Sequence, residues 1–199
     1  VKNYRLYKWI TALGFSDYEG FYQKSIDDVE WFWDEAVKEL NLSWYKPYEH
    51  TLQTTDDWKY PRWFVNGKIN VVENALEKWA RDDEKKKNRA LTWESENGIV
   101  KTYTYEQLQD EVNLTAAGFV QLGLQKGDVV TLYLPMIPEA VISMLSLAKI
   151  GCIFSPVFSG YAADAIATRI NASKSKYLIT ADGFYRRGKR VNMKYEADL

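Results

Sequence analysis

The sequence predicts an α/β protein whose final third is a parallel β-α-β-α-β core, preceded by an aromatic-rich cap of helix and extended chain. Three observations carry that prediction. Asp128–Leu134 and Cys152–Val157 are short, near-continuous apolar runs, the pattern of strands buried on both faces, and Tyr177–Thr180 is a shorter third. Helix-period segments stand between them, one opened by Pro138 and one by Ala162. Strands that alternate with helices in this way form a parallel sheet covered by right-handed crossovers.

The elements follow in order. Residues 1–24 are aromatic and polar without a clean period. Ser25 has the character of an N-cap, with Asp28 at the third helical position. Val29, Phe32, Trp33, Ala36, Val37 and Leu40 then recur at helical spacing, which predicts a helix over Ile26–Leu40 with an aromatic face for packing or for docking on a larger body. Residues 41–69 read as an extended connection, because Pro47 and Pro61 interrupt regular structure and Gly67 marks a turn. So long a connection is uncommon inside a compact domain. It is expected to wrap over a neighbouring surface, anchored by Trp44, Trp58, Trp63 and Phe64. Residues 1–69 are therefore read as the cap and 70–199 as the α/β domain.

Asn70 opens the next helix with Glu73 at N3, and Val71, Ala75, Leu76 and Trp79 are its expected buried face. The mixed-charge run Arg81–Arg89 ends it as a solvated turn. Ala90–Glu94 and Val100–Tyr103, joined through Glu96-Asn97-Gly98, read as a hairpin. Thr104 and Gln107 form a capping box for a helix carrying Tyr105, Leu108, Val112, Ala116 and Phe119 on one face, closed by Gly123. Pro138 fits the first turn of a helix that runs to Ile150 and is closed by Gly151. Ala163, Ile166 and Ile170 point inward from the helix Ala162–Asn171.

Composition narrows the function. The formal net charge is −1, so nothing global points to a nucleic acid or an anionic membrane. With one cysteine, Cys152, and one histidine, His50, an internal disulfide and a zinc site of the usual kind are excluded, and a Cys–His dyad is disfavoured. Cys152 reads as a buried structural thiol. A reducing, cytoplasmic setting is expected. The start lacks an apolar targeting segment, and the apolar stretch Val129–Ile150 is broken by Pro135, Pro138 and Glu139, so it is not a membrane helix. The first residue is not Met and the last run, KYEADL, has no clear stop, so both ends read as cuts.

No GxGxxG, GxxxxGK[ST] or GxSxG run is present. The acidic pairs Asp27-Asp28, Asp56-Asp57 and Asp82-Asp83 lie at helix starts or turns, where capping explains them. No catalytic or metal-binding residue is assigned. Ligands of a parallel sheet bind beyond the carboxyl ends of its strands, here Leu134-Pro135-Met136, Phe158-Ser159-Gly160 and Ala181-Asp182-Gly183. Two features stand there. Phe158-Ser159-Gly160-Tyr161 is a turn of small residues that allows close approach, though on spacing alone a plain tight turn explains it. Gly183–Arg190 gathers four basic residues about a glycine, suited to phosphate oxygens, though alone it also reads as a solvated turn.

Five runs in order then carry a resemblance. LGLQKGDVV with YLPMIPEAVISMLSLAKIGCIFSPVF, WFWDEA, RWFVNGKINVVENALEKW, YTYEQLQDEVNLTAAGF and SGYAADAIATRINASKSKYLITADGFYRRGK together resemble the N-terminal domain of AMP-forming acyl-CoA synthetases, in the acetyl-CoA synthetase-like branch of the adenylate-forming superfamily. The resemblance implies a partial N-terminal domain of an enzyme that joins a short-chain carboxylate to ATP, with Mg²⁺, and passes the acyl group from AMP to the thiol of CoA. It implies that Arg186, Arg187, Gly188 and Lys189 meet the nucleotide phosphate of CoA, with Arg186 the main fork. It also implies that Ser159 and Gly160 line the pantetheine path. Two positions depart from the branch: Lys189 stands where it has Arg, and Ser159 replaces the first glycine of the turn.

The phosphate loop, the adenine and ribose motifs, the acyl pocket and the C-terminal lysine of the family are not in these residues. The chain alone is therefore expected to be inactive and to bind neither ATP nor CoA tightly. Two other readings stay open, a carrier-loading adenylation domain and a stand-alone binding module without catalysis. The expected partners are a small carboxylate, ATP and CoA, with neither nucleic acid nor membrane. A truncated sheet with uncovered apolar surface also leaves a homo-oligomer open.

Overall fold

The structure, a computed structural model, describes residues 4–54 and 59–199. Asp56, Asp57 and Trp58, named above as an acidic pair and an aromatic anchor, lie outside the described residues. The chain divides into two compact units, Val1–Ile69 and Asn70–Leu199.

Among its described residues the first unit contains three helices where one was expected: α1 (Arg5–Ala12), α2 (Tyr18–Asp27) and α3 (Val29–Glu39). Ser25 is not a cap. It lies inside α2 and its hydroxyl donates to the Tyr22 carbonyl at 2.7 Å. Asp28 is the cap, accepting the Trp31 N–H at 3.1 Å, and its non-helical backbone (φ −134°, ψ 76°) breaks Ile26–Leu40 in two. A carboxylate at the positive end of α3 is the stronger cap of the two. The break also lets Phe21 meet Trp9 at 5.1 Å and Phe32 at 6.0 Å between ring centroids. Helices of two or three turns show too little of the 3.6-residue period to be read before Asp28.

Residues 41–69 also hold regular structure that was not expected. β1 (His50–Gln53) pairs antiparallel with β2 (Arg62–Val65), and Trp44, Tyr48 and Phe64 pack at one end with centroids 5.1–5.5 Å apart. Strands of four residues are too short to display alternation. His50 is exposed on β1.

The second unit opens as expected on Asn70, whose Oδ1 accepts the Val72 N–H at 3.0 Å. The buried face is different. Val72, Leu76 and Ala80 are buried while Val71 and Ala75 are exposed. The turn Glu73–Glu77, which leads into α4 (Lys78–Ala80), is π-helical, and its i→i+5 bonds wind more residues into each turn, so the inward face recurs every four positions. Asp82 and Asp83 serve the turn that follows: Asp82 accepts the Glu84 N–H at 3.0 Å and Asp83 takes the Lys86 ammonium.

The rest of the unit follows the sequence closely. β3 (Arg89–Glu94) and β4 (Val100–Thr104) form the hairpin. The Thr104–Gln107 capping box opens α5 (Tyr105–Gln121), which Gly123 closes at φ +90°, with Leu124 N–H bonded to Phe119 O. β5 (Val129–Tyr133), α6 (Pro138–Lys149), β6 (Ile153–Val157), α7 (Ala163–Ser173) and β7 (Tyr177–Thr180) give a parallel sheet in the order β6-β5-β7. β5 is therefore central. Val130 and Leu132 pack with Leu147 of α6 and Phe119 of α5, while Tyr133 packs with Ile166 of α7. The two crossovers run in opposite directions along the sheet, which sends their helices to opposite faces.

β6 corrects one expectation. Ile153 and Phe154 are exposed and only Val157 of this strand is buried, because β6 lies at an edge of the sheet. An apolar run reports the environment a strand is built for, not its place in the sheet order.

After β7 the basic run is a second hairpin rather than a loose turn. β8 (Gly183–Arg186) pairs with β9 (Lys189–Asn192), and α8 (Met193–Asp198) follows with Met193 buried. A Cβ on Gly183 would lie 2.3 Å from the Val191 carbonyl oxygen. Backbone cannot swing aside as a side chain can. Gly183→Ala is thus expected to cost about 1–3 kcal/mol, seen as a lower Tm and faster amide exchange through residues 183–192. Unchanged exchange in that hairpin would refute the close approach.

Candidate functional site

Because the strands of the sheet are parallel, the chain segments after β5, β6 and β7 leave it on the same edge. There they form a cleft of about 460 Å³ lined by Pro135 and Met136, by Ser159, and by Gly183 with Phe184 and Tyr185. All three strand ends marked in the sequence thus contribute to one cavity. Its other wall, Trp93–Ile99 of the β3–β4 hairpin, had no sequence signal. Trp93 fixes that wall to the sheet: its Nε1 donates to the Met136 carbonyl at 2.6 Å.

The turn Phe158–Tyr161 is held from below. Tyr133, 1% exposed at the end of β5, donates its hydroxyl to Tyr161 O at 2.9 Å, and Ser159 O lies at 3.4 Å. Burial, then the charge of Glu196, raises the Tyr133 phenol above its ordinary value, so it stays a neutral donor. Arg169 stacks on the Tyr161 ring at 4.3 Å, and Glu196 accepts the Ala163 N–H at 3.1 Å. Ser159 is half-buried and Gly160 exposed.

The basic hairpin reaches this turn. A Cβ on Gly160 would stand 3.5 Å from Nη1 of Arg186, so the guanidinium lies in van der Waals reach of the glycine. Arg187 and Gly188 have φ +52° and +72°, the left-handed pair of a two-residue hairpin turn. Arg186, Arg187, Gly188 and Lys189 are all exposed. Among the described residues no ion pair engages Arg186, Arg187, Lys189 or Arg190. The acid that approaches them, Glu96, bonds to backbone: Oε1 accepts the Arg187 N–H at 2.9 Å and Oε2 the Gly188 N–H at 3.3 Å. Tyr133, Trp93 and Glu96 are the residues that sequence reasoning missed. Tyr133 reads as one more apolar strand position, and Glu96 lies 91 residues from the turn it meets.

The remaining candidates lie elsewhere. Cys152 is buried, its Sγ 3.2 Å from Gln125 O, and burial pushes the thiol up. That disfavours the reactive thiolate. Among the described residues no three His, Cys, Asp or Glu side chains gather as metal ligands, and no helix is long and apolar enough to cross a membrane.

Both the sequence and the fold have relatives among known proteins. Residues 76–198 match the family model of the AMP-binding enzyme, and residues 18–75 that of the acetyl-coenzyme A synthetase N-terminus. An acetyl-coenzyme A synthetase of Deinococcus radiodurans is 44% identical over 190 residues, covering 94% of this chain and 28% of that protein. A 3-hydroxypropionyl-coenzyme A synthetase of Sulfurisphaera tokodaii is 42% identical over 181 residues, covering 91% of this chain and 27% of that one. The solved structure of an acetoacetyl-CoA synthetase from Streptomyces lividans superposes with a TM-score of 0.89 at 24% identity, over 99% of this chain and 31% of its own. The α/β fold with its parallel sheet is the fold of that structure. The chain thus spans less than a third of the length of the relatives it matches.

Proposed function

This chain belongs to the AMP-binding enzyme family, and on that premise we propose that it is the N-terminal part of an ATP-dependent, AMP-forming short-chain acyl-CoA synthetase. The whole enzyme converts a carboxylate, ATP and CoA to acyl-CoA, AMP and pyrophosphate. The observation that carries the reading is the basic hairpin that brings Arg186 to the glycine turn at the carboxyl edge of a parallel sheet, its basic side chains in no ion pair among the described residues. Such a place suits a ligand with both a phosphate and a thin flexible arm. CoA has both.

Arg186 supplies a guanidinium fork for the nucleotide phosphate, Lys189 a point charge beside it, and Arg187-Gly188 the turn that presents them. Gly160 admits the pantetheine arm, because a Cβ there would stand 2.7 Å from the Phe158 ring and fill the space beside Arg186. Ser159 lines the same path. Mg²⁺ and ATP serve the adenylation step. The match of residues 18–75 to the acetyl-coenzyme A synthetase N-terminus supports CoA as acceptor over a carrier protein. Relatives named for acetyl and 3-hydroxypropionyl groups support a small acid as substrate.

Carboxylate-dependent exchange of pyrophosphate into ATP tests the proposal. The longer protein is expected to catalyse it with acetate, propionate or 3-hydroxypropionate and to release AMP only when CoA is added, while residues 1–199 alone give none. Exchange by residues 1–199, or a longer protein silent with all three acids, would overturn it.

A further inference from the structure

We propose that Glu96 is a positioning residue for the CoA phosphate, holding the tip of the β8–β9 hairpin so that Arg186 stays over Gly160 with its fork open. This inference rests on the CoA reading above. Its basis is an unusual choice of partner. Glu96 stands beside a run of four basic side chains, yet its two oxygens take the backbone N–H groups of Arg187 and Gly188, at 2.9 and 3.3 Å. A carboxylate on the guanidinium would have neutralised the fork. A carboxylate on two consecutive backbone donors fixes the turn and does not itself occupy the side-chain donors, which leaves them to an external anion.

Glu96 can act as an anchor because its own turn is stiff. Ser95 N–H bonds Ile99 O at 2.9 Å, Gly98 N–H bonds Ser95 O at 3.0 Å, and Ser95 Oγ accepts the Ile99 N–H at 2.9 Å. Trp93, three residues earlier, ties the same hairpin to Met136 after β5. A continuous path therefore runs from the sheet edge through Trp93 and Glu96 to Arg187 and Gly188, and from Arg186 back to Gly160. Phe184 packs the base of the β8–β9 pair against the cluster of Tyr133, Val157, Ile166 and Met193, and Glu96 bonds its exposed tip.

Charge and position make opposite predictions, so the experiment separates them. Removing Glu96 deletes a negative charge near the phosphate, which by itself would tighten CoA. Losing the anchor would weaken it. The measurement is kcat/KM for CoA relative to dephospho-CoA, which lacks the 3′-phosphate of the nucleotide, in the full-length protein.

Glu96→Ala is expected to lower that ratio roughly three- to tenfold through KM for CoA, the scale of one typical net hydrogen bond. Glu96→Gln, which keeps one acceptor, falls between wild type and Ala. Amide exchange of Arg187 and Gly188 is expected to quicken in the same order, a readout that survives if Ala impairs folding. Arg186→Ala is the control on the underlying reading. If Arg186→Ala collapses the ratio and Glu96→Ala leaves or raises it, the anchor is wrong and the site stands. If neither changes it, the CoA assignment fails and takes the anchor with it.

Discussion

Replacing Arg186 and Lys189 together by alanine in the full-length protein is expected to raise KM for CoA by roughly 10- to 100-fold and to leave carboxylate-dependent pyrophosphate exchange at the wild-type rate. The magnitude is that of losing charge-assisted bonds to a phosphate, about 1.5–3 kcal/mol for a hydrogen bond to a charged group, where about 1.4 kcal/mol is tenfold. Among the described residues no acid holds these groups in ion pairs, so no partner there is freed to offset the loss. The effect belongs to the second half-reaction because CoA takes no part in adenylation. It is expected to shrink as salt rises, since the hairpin is exposed and its field is screened. Lys189→Arg supplies the opposite sign: a planar fork in place of a point charge is expected to lower KM for CoA severalfold. CoA kinetics unchanged in the double variant would remove these residues from the site.

Tyr133→Ala carries the largest expected cost in stability. The ring is 1% exposed and packs with Val157, Ile166 and Met193. Truncating a buried aromatic leaves a cavity as well as a lost transfer term, about 3–5 kcal/mol. Denaturant unfolding should show a lower midpoint at the same slope. Tyr133→Phe isolates the hydroxyl. It keeps the packing and removes the donor to Tyr161 O, at a cost of about 1 kcal/mol. The same change frees the Ser159–Tyr161 turn, so KM for CoA should rise while the unfolding midpoint falls only slightly. A Phe variant as unstable as Ala would show that Tyr133 contributes through its hydroxyl and not its ring.

The elements that sequence displays best are those whose own length exceeds a few turns or whose ends carry a cap. α5 shows both, from the Thr104–Gln107 box to Gly123, and α6 opens on Pro138, ends at Lys149 and is followed by Gly151 at φ +78°. α1, α2 and the β1–β2 pair show neither enough period nor enough length, and Ser25 and Asp28 compete for one capping pattern. The π turn at Glu73–Glu77 moved a buried face by changing residues per turn, which a 3.6-residue template does not register.

The candidate site divides in the same way. The turn at Gly160 and the basic run at Arg186–Lys189 could be singled out because they follow strands whose carboxyl ends share one edge, while their CoA role rests on the resemblance alone. Trp93, Glu96 and Tyr133 were not, because each acts through a backbone group remote in sequence: Met136, Arg187 with Gly188, and Tyr161.

What the amino-acid sequence determined by itself is therefore the alternation of strand and helix, the parallel sheet, the family, and a basic run placed after a strand. These follow from periodicity and local backbone chemistry, which neighbouring residues encode. Only the tertiary structure decided that the basic run is a hairpin, that its guanidinium lies at Gly160, and that a carboxylate 91 residues away holds its tip. Those contacts join segments distant along the chain, and no local pattern specifies which distant partner a side chain will meet.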